Sequence, residues 1–380
     1  MVALSSEAKQ IGLKRGDPFH HIQATLRKHK GKAFSSNYAL YGDMSARVMK
    51  ILAREAPALE VYSIDEAFLD LSGVSNVEAF SRSLKHKILG ELGLPVSIGV
   101  ASTKVLSKVA NHFAKKSEKA QGVLVLDRQR VVDEALARID VGDLWGVGRR
   151  NAQKMKGLGI ERGIDLRDFK NTTLIQKLFT KVGRQIQDEL RGISCLPLET
   201  VMNPKEQIIS SKSFGKSVQQ LDEILEAISQ YATRACEKLR KQNSHCRSMS
   251  VFLHTNPFKD VPQYYNSLER HFSVGTSDSL KVISNARDMI KTIFRKGFEY
   301  KKCGIMLYDL HGPNEQQLDL FSQGDNLQSV QLMRVMDQIN YREGRDTIKS
   351  LACGLNQGWA LRSEYKSPHY TTRWSDLIKV

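Results

Sequence analysis

The sequence predicts a multi-domain α+β protein. Its 380 residues exceed what one ordinary hydrophobic core organises, so about two to four domains are expected. Short strand-like apolar runs alternate with amphipathic helix patterns up to residue 139, and again from residue 208 to 310. Between these blocks, residues 140–202 hold short helical patterns and glycine turns, as in a small all-helical module.

In chain order, Met1-Val2-Ala3-Leu4 leads into Ser5-Ser6-Glu7-Ala8-Lys9, which reads as a helix start rather than a signal peptide. Gly16-Asp17-Pro18 is a turn. Ser36 to Glu55 predicts a long helix, with Leu40, Met44, Val48, Ile51 and Leu52 on one side. The run Val61 to Leu71 looks like a strand, and Val77 to Leu92 a second amphipathic helix. Leu94 to Val100 reads as a buried strand, Ser102 to Lys116 as a helix, and Gly122 to Leu126 as another strand. One mixed sheet is expected from these strands. Asn203-Pro204-Lys205-Glu206-Gln207 reads as a linker. The second α+β unit follows as strand (208–214), helix (221–242), strand (246–254), strand near Phe272, helix (279–295) and strand (304–310). Beyond Gly312 the chain is polar, with one apolar island and then a helix over 330–341.

The formal net charge is +16, from 57 Lys+Arg against 41 Asp+Glu, which points to nucleic acid or an acidic membrane surface as partner. No apolar run approaches the roughly 20 residues that span a bilayer. The five cysteines are scattered, odd in number and without metal-ligand spacing, so reduced thiols in a cytoplasmic protein are expected.

Four motifs carry chemistry. In Val61-Tyr62-Ser63-Ile64-Asp65-Glu66-Ala67-Phe68-Leu69-Asp70-Leu71, adjacent carboxylates interrupt an apolar run. Carboxylates on a core strand ask for a cation, and hard paired oxygens that bridge to substrate phosphates suit Mg²⁺. The alternative is a hairpin whose acids simply face water. If Asp65 and Glu66 serve together, the chain must turn or bulge there, because consecutive strand residues face opposite ways. In the helix Thr103 to Lys116, Val105, Leu106, Val109, Ala110 and Phe113 form the apolar stripe. Lys104, Lys108, Asn111 and Lys115 share the other side, either as a solvated face or as ammonium groups along phosphates. Leu144-Trp145-Gly146-Val147-Gly148-Arg149-Arg150, followed by Leu158-Gly159-Ile160, is the pattern of a helix-hairpin-helix. Its glycine turn aims backbone N–H groups at one phosphate, with Arg149 and Arg150 adding charge. Gln317-Leu318-Asp319-Leu320-Phe321 is the apolar island, either packed on the preceding unit or docking a partner's pocket.

Together these words resemble the Y-family translesion DNA polymerases, in particular those of the UmuC/MucB type. Ser63-Ile64-Asp65-Glu66-Ala67-Phe68 resembles the palm signature, and Ser97-Ile98-Gly99-Val100-Ala101 with Lys104 the following strand and helix. Gly146-Val147-Gly148 matches the thumb hairpin, and Gln317 to Phe321 resembles a sliding-clamp motif. Ser367 to Trp374 resembles the tail of that type. The resemblance implies a right-hand architecture: partial fingers (1–30), palm (31–139), helix-hairpin-helix thumb (140–202), little finger (203–310) and a flexible C-terminal tail bearing the clamp motif (311–380). It implies error-prone translesion synthesis in the SOS response, by nucleotidyl transfer with two Mg²⁺. Asp65 and Glu66 become metal-binding catalytic carboxylates. Lys9 and Lys115 become nucleotide contacts, and Lys104, Lys108, Gly146, Gly148, Arg149 and Arg150 DNA contacts. Gln317, Leu318, Asp319, Leu320 and Phe321 become the clamp contact. The implied partners are primer–template DNA, deoxynucleoside triphosphates, the sliding clamp, a UmuD-like subunit and RecA, with no membrane. In this family a first palm strand carries another metal-binding Asp, followed by an aromatic steric gate, and this sequence shows neither. The expectation alternative to catalysis is therefore a catalytically defective remnant that binds DNA and the clamp. A helix-hairpin-helix glycosylase or nuclease also fits the charge, but it leaves the acid pair and the tail motif unexplained.

Overall fold

The computed structural model describes residues 1–201, 203–312, 315, 324–355, 357–361 and 363–377. The chain divides into two compact units: residues 1–202 together with 365–380, and residues 203–364.

The first unit opens with α1 (Ser6–Gln10) and α2 (Phe19–Lys28), which hold their own small core of Leu13, Ile22 and Leu26. Helix α3 (Tyr38–Glu55) starts at Asn37, whose side chain accepts from the Leu40 N–H. Strands β1 (Ala58–Val61) and β2 (Ala67–Asp70) form an antiparallel hairpin in the register Val61↔Ala67. Helix α4 (Val77–Leu92) ends at Gly93, in the left-handed conformation. Strand β3 (Ile98–Ala101) then runs parallel to β4 (Val123–Leu126), with α5 (Lys104–Ala114) as the crossover. The single mixed sheet expected from the sequence is not formed: β1–β2 and β3–β4 are separate two-stranded sheets. Their apolar residues still share one core, in which Leu59, Leu69, Val96 and Ile98 pack on Ile51, Leu84 and Ile88. Among the described residues, side-chain burial joins the two strand pairs where backbone pairing does not.

A larger core joins α5 and β4 to α6 (Gln129–Arg138), α7 (Arg149–Lys156), α8 (Gly163–Asp168) and α9 (Thr172–Leu190). The apolar stripe read on α5 is buried at Val105, Leu106, Val109 and Ala110. Within residues 140–202, α9 spans 19 residues. It breaks at Thr180 (φ 63°, ψ −174°), so it is built as two shorter segments.

In the second unit, β5 (Ile208–Val218), β6 (His245–Thr255), β7 (Tyr265–Thr276) and β8 (Tyr300–His311) form a sheet in the order β5-β8-β6-β7. Helices α10 (Leu221–Lys241) and α11 (Ser279–Ile293) cover it, their alanines allowing close approach: Ala232, Ala235 and Ala286 are fully buried. The described part of 311–380 does not trail free. Helix α12 (Leu327–Arg342) is held by Arg240, whose guanidinium donates twice to the Asp337 carboxylate at 2.7 Å. Trp359 is buried edge-on to Phe214 and Tyr231. Apolar groups spaced through a polar stretch find places in a core already formed.

Candidate functional site

Residues 62–66 close the β1–β2 hairpin. The N–H groups of Tyr62 and Ser63 both donate to the Glu66 carbonyl, at 3.1 and 3.0 Å. This turn releases Asp65 and Glu66 from strand alternation and presents both at one hairpin tip. Asp65 is exposed, and its carboxylate accepts from the Ser63 hydroxyl at 2.7 Å. Glu66 is half-buried, and its carboxylate accepts from Lys108 Nζ at 2.6 Å.

One turn earlier on α5, Lys104 pairs with Glu60 and donates to the Pro197 carbonyl at 2.7 Å. Glu60 also accepts from the Glu199 N–H at 2.8 Å. Lys104 and Lys108 thus share a helix face, and each is matched by an acid of the β1–β2 hairpin. A phosphate would have to compete with a carboxylate for either ammonium. The N-terminus of α5 is occupied as well. Buried Glu189 accepts from the Val105 N–H at 3.1 Å, and from the Cys195 and Leu196 N–H groups at 2.6 and 3.1 Å. Lys115, just past the end of α5, and Lys9, in the last turn of α1, are exposed. Among the described residues no hydrogen bond or ion pair links either of them to the acidic turn.

The glycine hairpin lies between a 3-10 turn (Val141–Asp143) and α7. Gly146 has φ +88°, a backbone conformation that favours glycine. Gly148 is the N-cap of α7 and contributes no side-chain cap, leaving the first amides of that helix available to an anion. Arg149 and Arg150 are exposed at its first two positions. At the base of the hairpin a 2.7 Å bond from Lys156 holds the Asp140 carboxyl below the usual range.

Three residues that sequence reasoning did not single out join these parts. The Tyr62 and Phe68 rings, flanking the acidic turn, lie 5.4 and 5.6 Å from that of Trp145. Trp145 Nε1 donates to the Tyr62 hydroxyl at 3.3 Å. Lys108 Nζ lies 5.8 Å from the Tyr62 centroid, and Lys104 Nζ 5.2 Å from that of Phe68. The available signal was an aromatic residue directly before each motif. Gln317 to Phe321 lie outside the described residues.

Asp65 and Glu66 are hard oxygen donors, and Mg²⁺-type ions are held by one or two carboxylates plus substrate phosphates, so the donor set fits a nucleotide-bound divalent ion. Among the described residues no cluster of three or more metal-ligating side chains forms.

Comparison with known proteins identifies the lineage. The model of the impB/mucB/samB family matches residues 1–112, and that of its C-terminal domain residues 205–320. Protein UmuC of Salmonella typhimurium is 42% identical over 391 residues, spanning 100% of this chain and 91% of the relative. This chain belongs to the impB/mucB/samB family. Protein MucB of Escherichia coli, another relative in that family, is 37% identical over 99% of this chain and 90% of its own length. DNA polymerase IV of Listeria monocytogenes is 30% identical over 80% of this chain and 83% of its own. A further model, of a domain of unknown function, matches residues 330–380. Among solved structures, a Y-family DNA polymerase chimera aligns with a TM-score of 0.63, at 22% identity, over 80% of this chain and 86% of its own. The impB/mucB/samB chain thus has the α+β, multi-domain fold of a Y-family polymerase.

Proposed function

We propose that this protein carries out error-prone translesion DNA synthesis in the SOS response, as a template-directed nucleotidyl transferase. The observation that carries the reading is the acidic hairpin tip. Asp65 and Glu66 share one tight turn, and Glu66 is paired with Lys108 on the basic face of α5. Family membership supports the same reaction.

In this mechanism Asp65 and Glu66 hold divalent ions, which we take to be Mg²⁺. When bound, such ions stabilise the charge that builds on the transferring phosphate. Ser63 orients Asp65, and Lys108 holds Glu66 in one position. Lys115 and Lys9 neutralise the triphosphate of the incoming nucleotide. The amides of Gly146 and Gly148, with Arg149 and Arg150, grip a backbone phosphate of the primer–template and read no bases. Gln317 to Phe321 would dock the sliding clamp, and a UmuD-like subunit and RecA belong to the same reading.

One observation favours a second reading, binding of DNA and the clamp without catalysis: among the described residues no third acid joins Asp65 and Glu66. Primer extension separates the two. Under the first reading the unaltered chain extends a primer with Mg²⁺, whereas Asp65→Ala and Glu66→Ala abolish extension and leave DNA affinity nearly intact. Near-normal extension by either variant refutes the metal assignment. Binding with no extension by the unaltered chain selects the second reading.

A further inference from the structure

The acidic turn and the phosphate-binding hairpin lie 77 or more residues apart in sequence, yet one indole touches both. Trp145 immediately precedes Gly146, where the hairpin backbone takes its positive φ. Its ring meets Tyr62 at 5.4 Å and 78°, and Phe68 at 5.6 Å and 59°. Tyr62 and Phe68 stand at the two ends of the Ser63–Ala67 segment, and themselves meet at 5.8 Å. The Tyr62 N–H closes the turn onto the Glu66 carbonyl, and the Tyr62 hydroxyl accepts from the indole N–H. The same Lys108 that pairs with Glu66 rests near the Tyr62 ring.

Burial alone gives a weak account of this cluster. Tyr62 is 47% exposed, and Trp145 is only partly buried. Rings gathered in a core would be covered, as Trp359 is. Edge-on aromatic contacts with a hydrogen bond between the polar tips instead fix relative orientation. Moving the indole would therefore move Tyr62, and with it the carbonyl and carboxylate of Glu66.

We propose that Trp145 is a positioning residue that couples phosphate capture at the Gly146–Arg150 hairpin to the geometry of Asp65 and Glu66, through Tyr62 and Phe68. The proposal rests on the polymerase reading above. Phosphate binding at the hairpin amides further restrains residues 145–148. The restrained indole keeps its hold on Tyr62, and the acidic turn is stabilised in the arrangement that would receive the divalent ion. Trp145 touches neither substrate nor ion.

The test labels the three tryptophans, Trp145, Trp359 and Trp374, with fluorine and follows them by ¹⁹F NMR in the full chain. The resonance absent from Trp145→Phe is that of Trp145. A primer–template duplex should shift this resonance, and Mg²⁺ added to the complex should shift it again. In Tyr62→Ala the duplex shift should persist and the Mg²⁺ shift should vanish. In extension assays Trp145→Ala should raise the Mg²⁺ concentration for half-maximal rate by about tenfold or more, with duplex affinity little changed. Trp145→Phe, which keeps a ring, should recover much of that loss. A Trp145 resonance unmoved by Mg²⁺ in the unaltered complex overturns the proposal. So does a Mg²⁺ shift that survives in Tyr62→Ala, or a Trp145→Ala variant that loses duplex affinity and thermal stability with unchanged Mg²⁺ dependence. If the unaltered chain extends no primer, the polymerase reading fails on its own, and the ¹⁹F response to Mg²⁺ still decides the coupling.

Discussion

Replacing Glu189 by alanine should loosen the first unit more than any surface change. Its carboxylate is fully buried and takes three backbone N–H groups, from Val105, Cys195 and Leu196. A hydrogen bond to a charged group contributes about 1.5–3 kcal/mol, so three set an upper bound of roughly 5–9 kcal/mol. Water entering the vacated space re-solvates some donors, which lowers the expected loss to about 3–5 kcal/mol. Glu189→Gln keeps the shape but turns an NH₂ toward one set of donors, and should cost about 1.5–3 kcal/mol. Urea unfolding gives the order of the two variants, and amide hydrogen exchange locates the damage. The Val105, Cys195 and Leu196 amides should lose protection by about 100-fold or more in the alanine variant, since each 1.4 kcal/mol is about tenfold. The Val105 amide lies in the first turn of α5, so Lys104 and Lys108 should lose their fixed positions with it. If the alanine variant unfolds at the same urea concentration and these amides stay protected, the buried carboxylate is not what joins α5 to the segment after α9.

Three further outcomes are expected. A Cβ at Gly99 would stand 2.2 Å from the Asn111 nitrogen and 2.4 Å from the Ser107 carbonyl oxygen, so Gly99→Ala must part β3 from α5. That overpacking should cost about 1–3 kcal/mol or more, and an unchanged melting temperature would count against the packing described. Duplex affinity should fall roughly 10³-fold between about 50 and 200 mM salt without sequence preference if, as proposed, the contacts are to phosphates; a flat titration or a consensus site from a binding selection contradicts this. Burial pushes the Cys236 thiol up to about 12 and the Cys246 and Cys303 thiols higher still, so a thiol reagent followed by mass spectrometry should label Cys195 first. Early labelling of the buried cysteines in the folded chain would contradict the packing of the second unit.

The second unit was legible because its pattern is periodic. Ile224, Ile228, Ala235 and Leu239 repeat at helical spacing along α10 and end in one core. The acid pair was legible by residue type and the need for a turn by strand alternation, but the two backbone bonds to the Glu66 carbonyl that close that turn leave no compositional mark. Strand partners were not legible either. Alternation says which face is buried and not which edge is paired, so one sheet was expected where two form. Glu189 sits in Gln187-Asp188-Glu189-Leu190, which reads as helix surface, and only the fold turns it inward. Lys104 and Lys108 were legible as a charged face, while their acidic partners, more than 40 residues away, were not.

Asn37, at the head of α3, is 1% exposed, and its amide donates to the carbonyl of Ser367, 330 residues later. The neighbouring Ser35 N–H likewise donates to the Tyr365 carbonyl. A ribosome supplies the early partner long before the late one. While the second unit is being made, the head of α3 waits with polar groups that only water can satisfy. Residues 365–367 are therefore a closing stitch, and the unit that carries the acidic turn is finished only after the second unit has been translated. Removing residues 365–377 should then be felt at Ser35 and Asn37, where a reading of the linear map would place no effect at all.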